Sequence, residues 1–368
     1  MRELIIETAE KVKAYLHYKV CSKHYKQYLL KSGYPNCEQG GESVYIAKWK
    51  QLSNRVEPYS YRFFSHFCGQ SEDIVPEDVG NMVIERHLNP PLYRYAYADK
   101  NLFPTILGKD TLPKTVLYRV NGGQLLSSNN LPLNNVDIDG GGYFIDNKMN
   151  TMILKPTVGS CSGRGIEKIS KGPDGLFYTN DKKLLTKDYL LRYGKDFCLQ
   201  ESIVQSDFMS NFCPTSVNTI RMATYKSVID DEVHIIGAII RIGKLGAFVD
   251  NAHAGGVFVG VDTLTGNISN YAVNEFGERF STWNGINLEM ENFTIPNWDG
   301  IVRFSKMIGQ KVLHHRLLAL DIALRQDNSP VLIEYNIGAF SYWLFMLTGH
   351  TPFGRYTDEI IDYCKKTK

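Results

Sequence analysis

The sequence predicts an α+β fold with an α-rich N-terminal region. Apolar residues recur at helical spacing between Glu3 and Lys31, whereas short β-rich runs separated by Gly, Asn and Asp dominate after about residue 110. Helix-like and strand-like segments do not alternate regularly, as they would in a doubly wound parallel sheet. The length of 368 residues allows two to three domain-sized units.

Composition excludes several function classes. The chain has 41 Lys and Arg against 39 Asp and Glu, and a net charge of +2 gives no global field that would attract nucleic acid. No apolar run is long enough for a signal peptide or a membrane span. The seven cysteines are scattered without CxxC pairs, which indicates reduced thiols. We therefore expect a cytoplasmic protein with no nucleic-acid partner.

The first helical segment, from Glu3 to Lys31, carries six lysines between its apolar positions and ends near Gly33. Such a helix most often packs its apolar face on the rest of the protein. Contact of this basic amphipathic helix with a membrane surface is the less favoured alternative. A helical stretch around 46–52, an aromatic segment at 59–67 and a helix at 76–86 complete the α-rich region.

The remainder of the chain is predicted to be mostly strands. The β-rich runs are 115–120, 151–154, 197–199, 216–225, 234–242, 256–261 and 331–335. Helices are predicted between them at 187–193, 300–318 and 356–366.

One β-run leads through a lysine into a loop of small residues. The segment 153–166 reads Ile-Leu-Lys-Pro-Thr-Val-Gly-Ser-Cys-Ser-Gly-Arg-Gly-Ile. Glycines let backbone N–H groups approach phosphate oxygens closely, and Lys155 on a rigid strand would add a positive charge. The loop has neither the Walker A nor the Rossmann pattern, so a plain hairpin loop is an equal alternative.

Two apolar strands near the C-terminus each carry an acid, Asp321 and Glu334. In a hairpin of this length the two acids can face each other, and strand alternation puts Glu334 and Asn336 on one face. Two carboxylates and an amide oxygen suit Mg²⁺ that also keeps substrate phosphates as ligands. The alternative is an exposed acid pair, but unpaired charges among apolar residues are costly, which favours the metal.

Three further segments carry polar side chains beside β-runs. Asn218 and Arg221 lie in the run 216–221, Arg241 ends the run 237–241, and His253 lies in the Gly-rich turn 250–256. Arginine forks suit phosphate oxygens. Taken singly, each segment is more often a salt-bridged surface arginine or a capped turn, so their order along the chain is what carries information.

In that order the segments resemble the ATP-grasp superfamily, and specifically the sugar-transfer associated ATP-grasp family of bacterial surface-polysaccharide biosynthesis. The matching segments are 88–89, 99–102, 112–115, the loop from 153, 200–201, 216–221, 241–243, 250–251 with 255–256, and Asp321 with Glu334 and Asn336. The resemblance implies an ATP-grasp fold. It divides the chain into an α-rich region over 1–95, a pre-lid segment and lid subdomain over 96–199, and a catalytic subdomain over 200–368.

The resemblance also implies the site. ATP would be held by Lys100 and Lys155 at its phosphates, by the closing loop Gly159, Ser160, Ser162, Gly163 and Gly165, by the adenine hinge Gln200, Glu201, Ile203 and Val204, and by Asp207 and Asn218. Mg²⁺ would be held by Asp321, Glu334 and Asn336. Arg221 and Arg241 would neutralise phosphate charge, and His253 would contact the substrate unless it merely bonds backbone in its turn.

The implied reaction is that of an ATP- and Mg²⁺-dependent carboxylate–amine ligase. The carboxylate becomes an acyl phosphate that an amine attacks, with an amino acid and a sugar acid as the expected kinds of substrate. Phosphoryl transfer needs positioning and charge neutralisation more than covalent chemistry by the protein, which agrees with a site rich in cations. Two rivals stay open: a kinase that phosphorylates a hydroxyl, and a non-catalytic nucleotide-binding protein.

Overall fold

The computed structural model describes residues 2–134, 137–139, 141–146, 149–159, 163–247, 250, 255–338 and 340–367. Its α-helices are α1 (Arg2–Ser32), α2 (Glu42–Trp49), α3 (Tyr59–Cys68), α4 (Glu77–Val79), α5 (Glu85–Leu88), α6 (Arg94–Ala98), α7 (Phe103–Leu107), α8 (Gly142–Asp146), α9 (Lys187–Tyr193), α10 (Asp207–Phe212), α11 (Trp298–Lys311), α12 (Tyr342–Leu347) and α13 (Thr357–Lys366). A π-helical turn, Gly80–Ile84, joins α4 to α5. Short 3₁₀ turns include Lys100–Leu102, just before α7.

The strands are β1 (Thr115–Arg119), β2 (Leu126–Ser127), β3 (Thr151–Pro156), β4 (Glu167–Lys171), β5 (Phe177–Thr179), β6 (Phe197–Glu201), β7 (Thr219–Lys226), β8 (Val233–Ile242), β9 (Val257–Val261), β10 (Ile268–Val273), β11 (Arg279–Phe280), β12 (Thr282–Trp283), β13 (Ile286–Asn287), β14 (Leu317–Leu324) and β15 (Pro330–Asn336). They form a six-stranded sheet of order β2-β1-β6-β3-β4-β5, a seven-stranded sheet of order β11-β10-β9-β8-β7-β14-β15, and the hairpin β12-β13.

The seven-stranded sheet is covered on both faces, because its central strands are almost entirely apolar and buried. On one face Ala223 and Ala319 belong to the same core as Tyr25 and Phe64 of the N-terminal helices. On the other face the core contains β-strand side chains such as Met222 together with residues of α11. The helical N-terminal region therefore packs directly against this sheet.

Strand alternation decides where the polar residues of this sheet point. Arg221 and Asp321 alternate with Met222 and Leu320, which face the α11 side. Both polar residues consequently lie on the face that the N-terminal helices cover further along the strands. The sheet thus presents a charged patch at the edge of an apolar core.

The α+β class with a helical N-terminal region is confirmed. The helix predicted at 300–318 is wrong at its end, because α11 stops at Lys311 and β14 already begins at Leu317. The elements that were not predicted are strands β2, β4, β5, β10, β11, β12 and β13 and helices α6, α7, α8, α10 and α12. The two acids of the C-terminal hairpin do face each other, since Asp321 pairs with Glu334 in the β14–β15 register.

Candidate nucleotide and metal site

A cavity of about 670 Å³ lies between the six-stranded and the seven-stranded sheet. Its walls come from β3 and β6 on one side and from β7, β8, β14 and β15 on the other. The predicted site residues that line it are Lys100, Lys155, Gly163, Gln200, Glu201, Ile203, Val204, Arg221, Arg241, Asp321, Glu334 and Asn336. A cleft between two packed units is a common position for a ligand site.

Lys155 is the most deeply buried cation of the wall formed by the six-stranded sheet. It lies opposite Cys198 in the β3–β6 register and is 7% exposed. Burial lowers the pKa of its ammonium, and the positive charge of Lys100 lowers the pKa further, while Cys198 and the more distant Glu334 carboxylate offset part of this shift. Within the part of the chain that the structure describes, no carboxylate lies within ion-pair distance of Lys155. A buried ammonium without a counterion is costly, so this position calls for an anion from a ligand.

Lys100 reaches the same cavity from the 3₁₀ turn before α7. Its backbone N–H donates to the Thr157 carbonyl at 3.1 Å, and the Asn101 amide donates to the Thr157 hydroxyl at 3.2 Å. These bonds fix the turn against the end of β3. The Lys100 ammonium lies 3.0 Å from a Glu334 carboxylate oxygen, so the predicted phosphate lysine and the predicted metal ligand are neighbours.

The opposite wall carries two arginines that share one carboxylate. Arg221 donates to both Asp321 oxygens, at 2.8 and 2.7 Å, and Arg241 donates to Oδ2 of Asp321 at 3.2 Å. Burial alone would raise the pKa of Asp321, but the two guanidiniums outweigh it and hold the pKa below its usual range. Asp321 is therefore ionised, and it orients both arginines.

Asp250 extends this cluster and was not predicted as a site residue. It lies 3.1 Å from Arg241 and accepts hydrogen bonds from the backbone N–H and the hydroxyl of Thr219. It also lines the cavity. The sequence signal was an acid at the start of a Gly-rich turn that follows an arginine-terminated strand. Such a turn acid is usually a cap, so the pattern alone could not have distinguished it.

The oxygen atoms of the acidic hairpin fit a hard divalent cation in their chemistry. Glu334 and Asn336 project from β15 into the cavity, beside Asp321 of β14. The Asn336 amide nitrogen donates to the Ala319 carbonyl at 3.3 Å, which leaves its amide oxygen directed elsewhere. No cluster of three His, Cys, Asp or Glu suited to a metal occurs among the described residues. An ion here would thus need substrate oxygens to complete its coordination.

Several predicted site residues do not line the cavity. Gly159 and Gly165 are not among its lining residues, and Asp207 is an exposed residue in the first turn of α10. Gly159 and Gly163 have φ of 66° and 74°, a conformation that suits glycine and allows the tight turns of this loop. Ser160, Ser162 and His253 lie outside the described residues.

Asn218 is also outside the cavity lining, in the loop before β7. Its amide nitrogen donates to the Met209 and Cys213 carbonyls at 2.8 and 2.9 Å, and its oxygen accepts from the Gly243 N–H at 3.3 Å. A fully buried amide that satisfies its bonds within the protein organises a loop. This geometry gives Asn218 a structural role, and its role toward a nucleotide stays a prediction.

The segment 202–206 connects the two walls. Glu201 ends β6, and its carboxylate accepts a hydrogen bond from Arg325, just past β14, at 2.9 Å. The Ser206 N–H donates to the Leu324 carbonyl at 2.9 Å. The residues of the predicted hinge thus lie where the chain crosses from one sheet to the other, and their contact with adenine stays a prediction: Gln200, Glu201, Ile203 and Val204.

Comparison with known proteins identifies the family. The family model described as sugar-transfer associated ATP-grasp matches residues 81–355. The chain belongs to this family. The predicted ATP-grasp fold is thereby confirmed for three quarters of the sequence, and the helices before residue 81 lie outside the match. No curated protein shows significant similarity to the chain.

Solved structures of ATP-grasp ligases are weakly similar to this chain. The ATP-grasp ligase PsnB complexed with precursor peptide PsnA2 and AMPPNP is 15% identical, with a TM-score of 0.38 over 76% of this chain and 62% of that chain. D-cycloserine synthetase DcsG is 12% identical, with a TM-score of 0.38 over 76% of this chain and 73% of that chain. D-alanyl-alanine synthetase A from Vibrio cholerae is 12% identical, with a TM-score of 0.37 over 73% of this chain and 64% of that chain. The family member described here thus spans less than two thirds of the PsnB and D-alanyl-alanine synthetase chains.

None of the described helices combines the length and the apolar character needed to cross a membrane. The longest of them, α1, carries lysines along most of its length.

Proposed function

We propose that this protein is an ATP- and Mg²⁺-dependent ligase that activates a carboxylate as an acyl phosphate for attack by an amine. Its substrates are small molecules, an amino acid and a sugar acid being the combination that suits surface-polysaccharide or glycoconjugate synthesis. The observation that carries the proposal is Lys155. A buried ammonium that faces a cavity and has no carboxylate partner among the described residues needs an anionic ligand, and a nucleotide phosphate supplies it.

The cations of the two walls suit a transferring phosphoryl group. Lys100 and Lys155 hold the phosphates of ATP from one side, and Arg221 and Arg241 neutralise charge from the other. Because Asp321 and Asp250 fix the arginines before any ligand arrives, little reorganisation is needed during the reaction. Mg²⁺, when bound by Asp321, Glu334 and Asn336, supplies Lewis-acid stabilisation of the phosphate oxygens.

The proposed chemistry has two steps. An oxygen of the substrate carboxylate attacks the γ-phosphorus of ATP, the bond to the β,γ-bridging oxygen breaks, and ADP leaves with that electron pair. The amine then attacks the acyl carbon, the carbon–oxygen bond to phosphate breaks, and the amine proton passes to solvent. The acyl phosphate hydrolyses in water, so a cavity enclosed by two sheets and the loop after β3 protects it.

Isotope transfer tests the reaction directly. Purified protein is incubated with Mg²⁺ and ATP, a pool of ¹⁸O-labelled carboxylates and a pool of amines. The proposal expects ADP, an amide product, and inorganic phosphate that carries one ¹⁸O from the carboxylate. Confirmed ATP binding with no ADP under any combination of substrates would contradict it.

The same experiment separates the kinase alternative. A kinase would form a stable phosphate ester without any amine, and no labelled inorganic phosphate would appear. A non-catalytic nucleotide-binding protein would bind ATP and release neither ADP nor phosphate. The three functions therefore give three different product patterns.

A further inference from the structure

Helix α1 presents two chemically different sides. Cys21, Tyr25 and Leu29 pack into the core shared with α3, and the Tyr25 ring lies 5.3 Å from that of Phe64. This inner side packs the helix on the rest of the protein, but of its three residues only Leu29 belongs to the apolar periodicity that predicted the packing. It does not account for the other apolar residues of the helix.

Three large apolar residues form a stripe on the side of α1 that faces solvent. Val12, Leu16 and Val20 are spaced by four residues, and they are 52%, 58% and 63% exposed. Single exposed apolar residues are ordinary, but this spacing aligns the three side chains along one face of the helix. An apolar stripe that is exposed to water indicates a surface that binds a membrane or another molecule.

Lysines lie among these apolar residues. The segment 11–31 has six lysines and no acid, while the whole chain has a net charge of only +2, so the remaining residues sum to −4. Lys19, Lys23 and Lys26 follow the stripe at helical spacing, and none of them has a carboxylate partner among the described residues. We call Val12, Leu16, Val20 and these three lysines the outer face of α1.

A shallow cavity adjoins the outer face. It has a volume of about 440 Å³, and Lys19, Lys23 and Lys26 line it together with Tyr59 of α3. Ser22 also borders it, is 9% exposed, and has a hydroxyl without a hydrogen-bond partner among the described residues. The three ammonium groups form a donor set that suits a phosphate group, whereas the Ser22 hydroxyl oxygen is itself buried.

We propose that the outer face of α1 docks the protein onto an anionic phospholipid bilayer. Lysines that alternate with aliphatic residues let the apolar side chains enter the headgroup boundary while the ammonium groups contact lipid phosphates. A second copy of the chain is disfavoured as the occupant, because pairing two outer faces would bring like charges together. This inference is independent of the proposed ligase chemistry.

The test uses the full chain and vesicle co-sedimentation. Neutral phosphatidylcholine vesicles are compared with vesicles that contain roughly one third phosphatidylglycerol. We expect binding to the anionic vesicles only, weaker at about 0.5 M salt than at about 0.1 M because the charges are screened. Equal binding to neutral vesicles, or no binding to either kind, would overturn the proposal.

Two variants and a matched control assign the surface. Lys19→Gln/Lys23→Gln/Lys26→Gln should weaken binding about fivefold for each lysine, or roughly a hundredfold together. The second variant replaces the apolar stripe, Val12→Gln/Leu16→Gln/Val20→Gln, and should lose the binding that survives high salt. The control changes the same charge at three exposed lysines elsewhere, Lys171→Gln/Lys183→Gln/Lys195→Gln, and should bind like the parent.

The results for these variants distinguish docking through α1 from the alternatives. All substituted residues are exposed, so each variant should keep the parent's thermal unfolding and its ATP affinity. If the control weakens vesicle binding as much as the α1 lysine variant, α1 is not the docking surface. A dimer in sedimentation equilibrium that the apolar variant dissociates would assign the stripe to self-association instead, and would likewise overturn the proposal.

Discussion

The two walls of the cavity carry their positive charge in different ways. On the six-stranded sheet, Lys155 is buried without a carboxylate partner among the described residues. On the seven-stranded sheet, Arg221 and Arg241 are already bound to Asp321 and Asp250. The lysine of the first wall therefore needs an anion from a ligand, whereas the arginines of the second wall are held in place by acids of the protein itself. Substitutions in the first wall should weaken ligand binding, and turnover with it, without a loss of stability, whereas those in the second wall should lower both stability and turnover.

The largest effect is expected from Asp321→Asn. Loss of one electrostatic stabiliser at the metal should lower turnover by at least about a hundredfold, and added Mg²⁺ should restore part of it. The structure adds a stability effect, because two buried guanidiniums lose their shared counterion, and we expect a loss of ~3 kcal/mol in the free energy of unfolding. ADP release over a Mg²⁺ titration and urea unfolding measure the two effects.

Asp327→Asn is the matched control, since Asp327 is an exposed acid in the turn of the same hairpin. It should leave turnover and Mg²⁺ dependence unchanged. If Asp321→Asn shows the same unchanged values, the acidic hairpin is structural. The metal assignment would then be withdrawn for Glu334 and Asn336 as well.

Lys155→Met tests the other wall. It keeps the volume of the side chain and removes the charge, so ATP affinity and turnover should fall together, by roughly tenfold or more. The free energy of unfolding should stay equal or rise, because an unpaired buried ammonium is destabilising. Calorimetry and urea unfolding decide the matter, with the exposed Lys171→Met as a control. A strong loss of stability with normal ATP affinity would show that Lys155 serves the fold and not a ligand.

This contrast between the walls was only half predictable from the sequence. Strand alternation placed Asp321 opposite Glu334, and the loop pattern placed Lys155 at a strand end, because both are local features. The bond between Arg221 and Asp321 joins residues 100 positions apart, and no periodicity encodes such a pairing. The ion pairing of each cation therefore required the folded chain.

The errors in the fold have local causes. The helix at 300–318 was predicted too long because apolar residues continue beyond its last residue, Lys311, as far as Leu317 and Leu318, which begin β14. Strand β4 was missed because most of its side chains are only partly buried, and β5 was missed because three residues are too few to show a period. The outer face of α1 was not predicted, because the sequence of a lysine-rich helix does not show which of its apolar residues pack into the core.

The pH dependence of ATP affinity should show a smaller effect. Burial lowers the pKa of Lys155, and a bound phosphate favours its charged form, so ATP affinity should fall as pH rises through that lowered pKa. The decrease is at most about tenfold per pH unit for one linked proton. In Lys155→Arg the cation stays charged, so the additional decrease should disappear, while the ionisation of ATP itself is the same in both proteins.

The free energy of unfolding should change with pH in the direction opposite to the ATP affinity. Because the pKa of Lys155 is lower in the folded protein than in the unfolded chain, the unfolded chain binds the extra proton between the two values. In the absence of ATP, the free energy of unfolding should therefore rise with pH across that window, and Lys155→Met should lack this rise. A parent whose stability and ATP affinity are both independent of pH above neutrality would contradict the assignment.

The smallest effect concerns Glu201 and Arg325, which form an ion pair across the two walls at 2.9 Å. Both side chains are partly exposed, so the pair should contribute no more than about 1 kcal/mol. If Glu201 acts only through this pair, Glu201→Gln and Arg325→Gln should change ATP affinity equally, by about fivefold at most. The resemblance implies that the hinge reads adenine through its backbone; if the Glu201 carboxylate makes a further contact with the nucleotide, Glu201→Gln should weaken ATP binding more than Arg325→Gln does. Calorimetric titration of both variants, and of the double variant, separates the two roles. A double variant no weaker than Glu201→Gln alone would show that Arg325 acts through Glu201, and equal single variants would show that the Glu201 carboxylate makes no separate contact with the nucleotide.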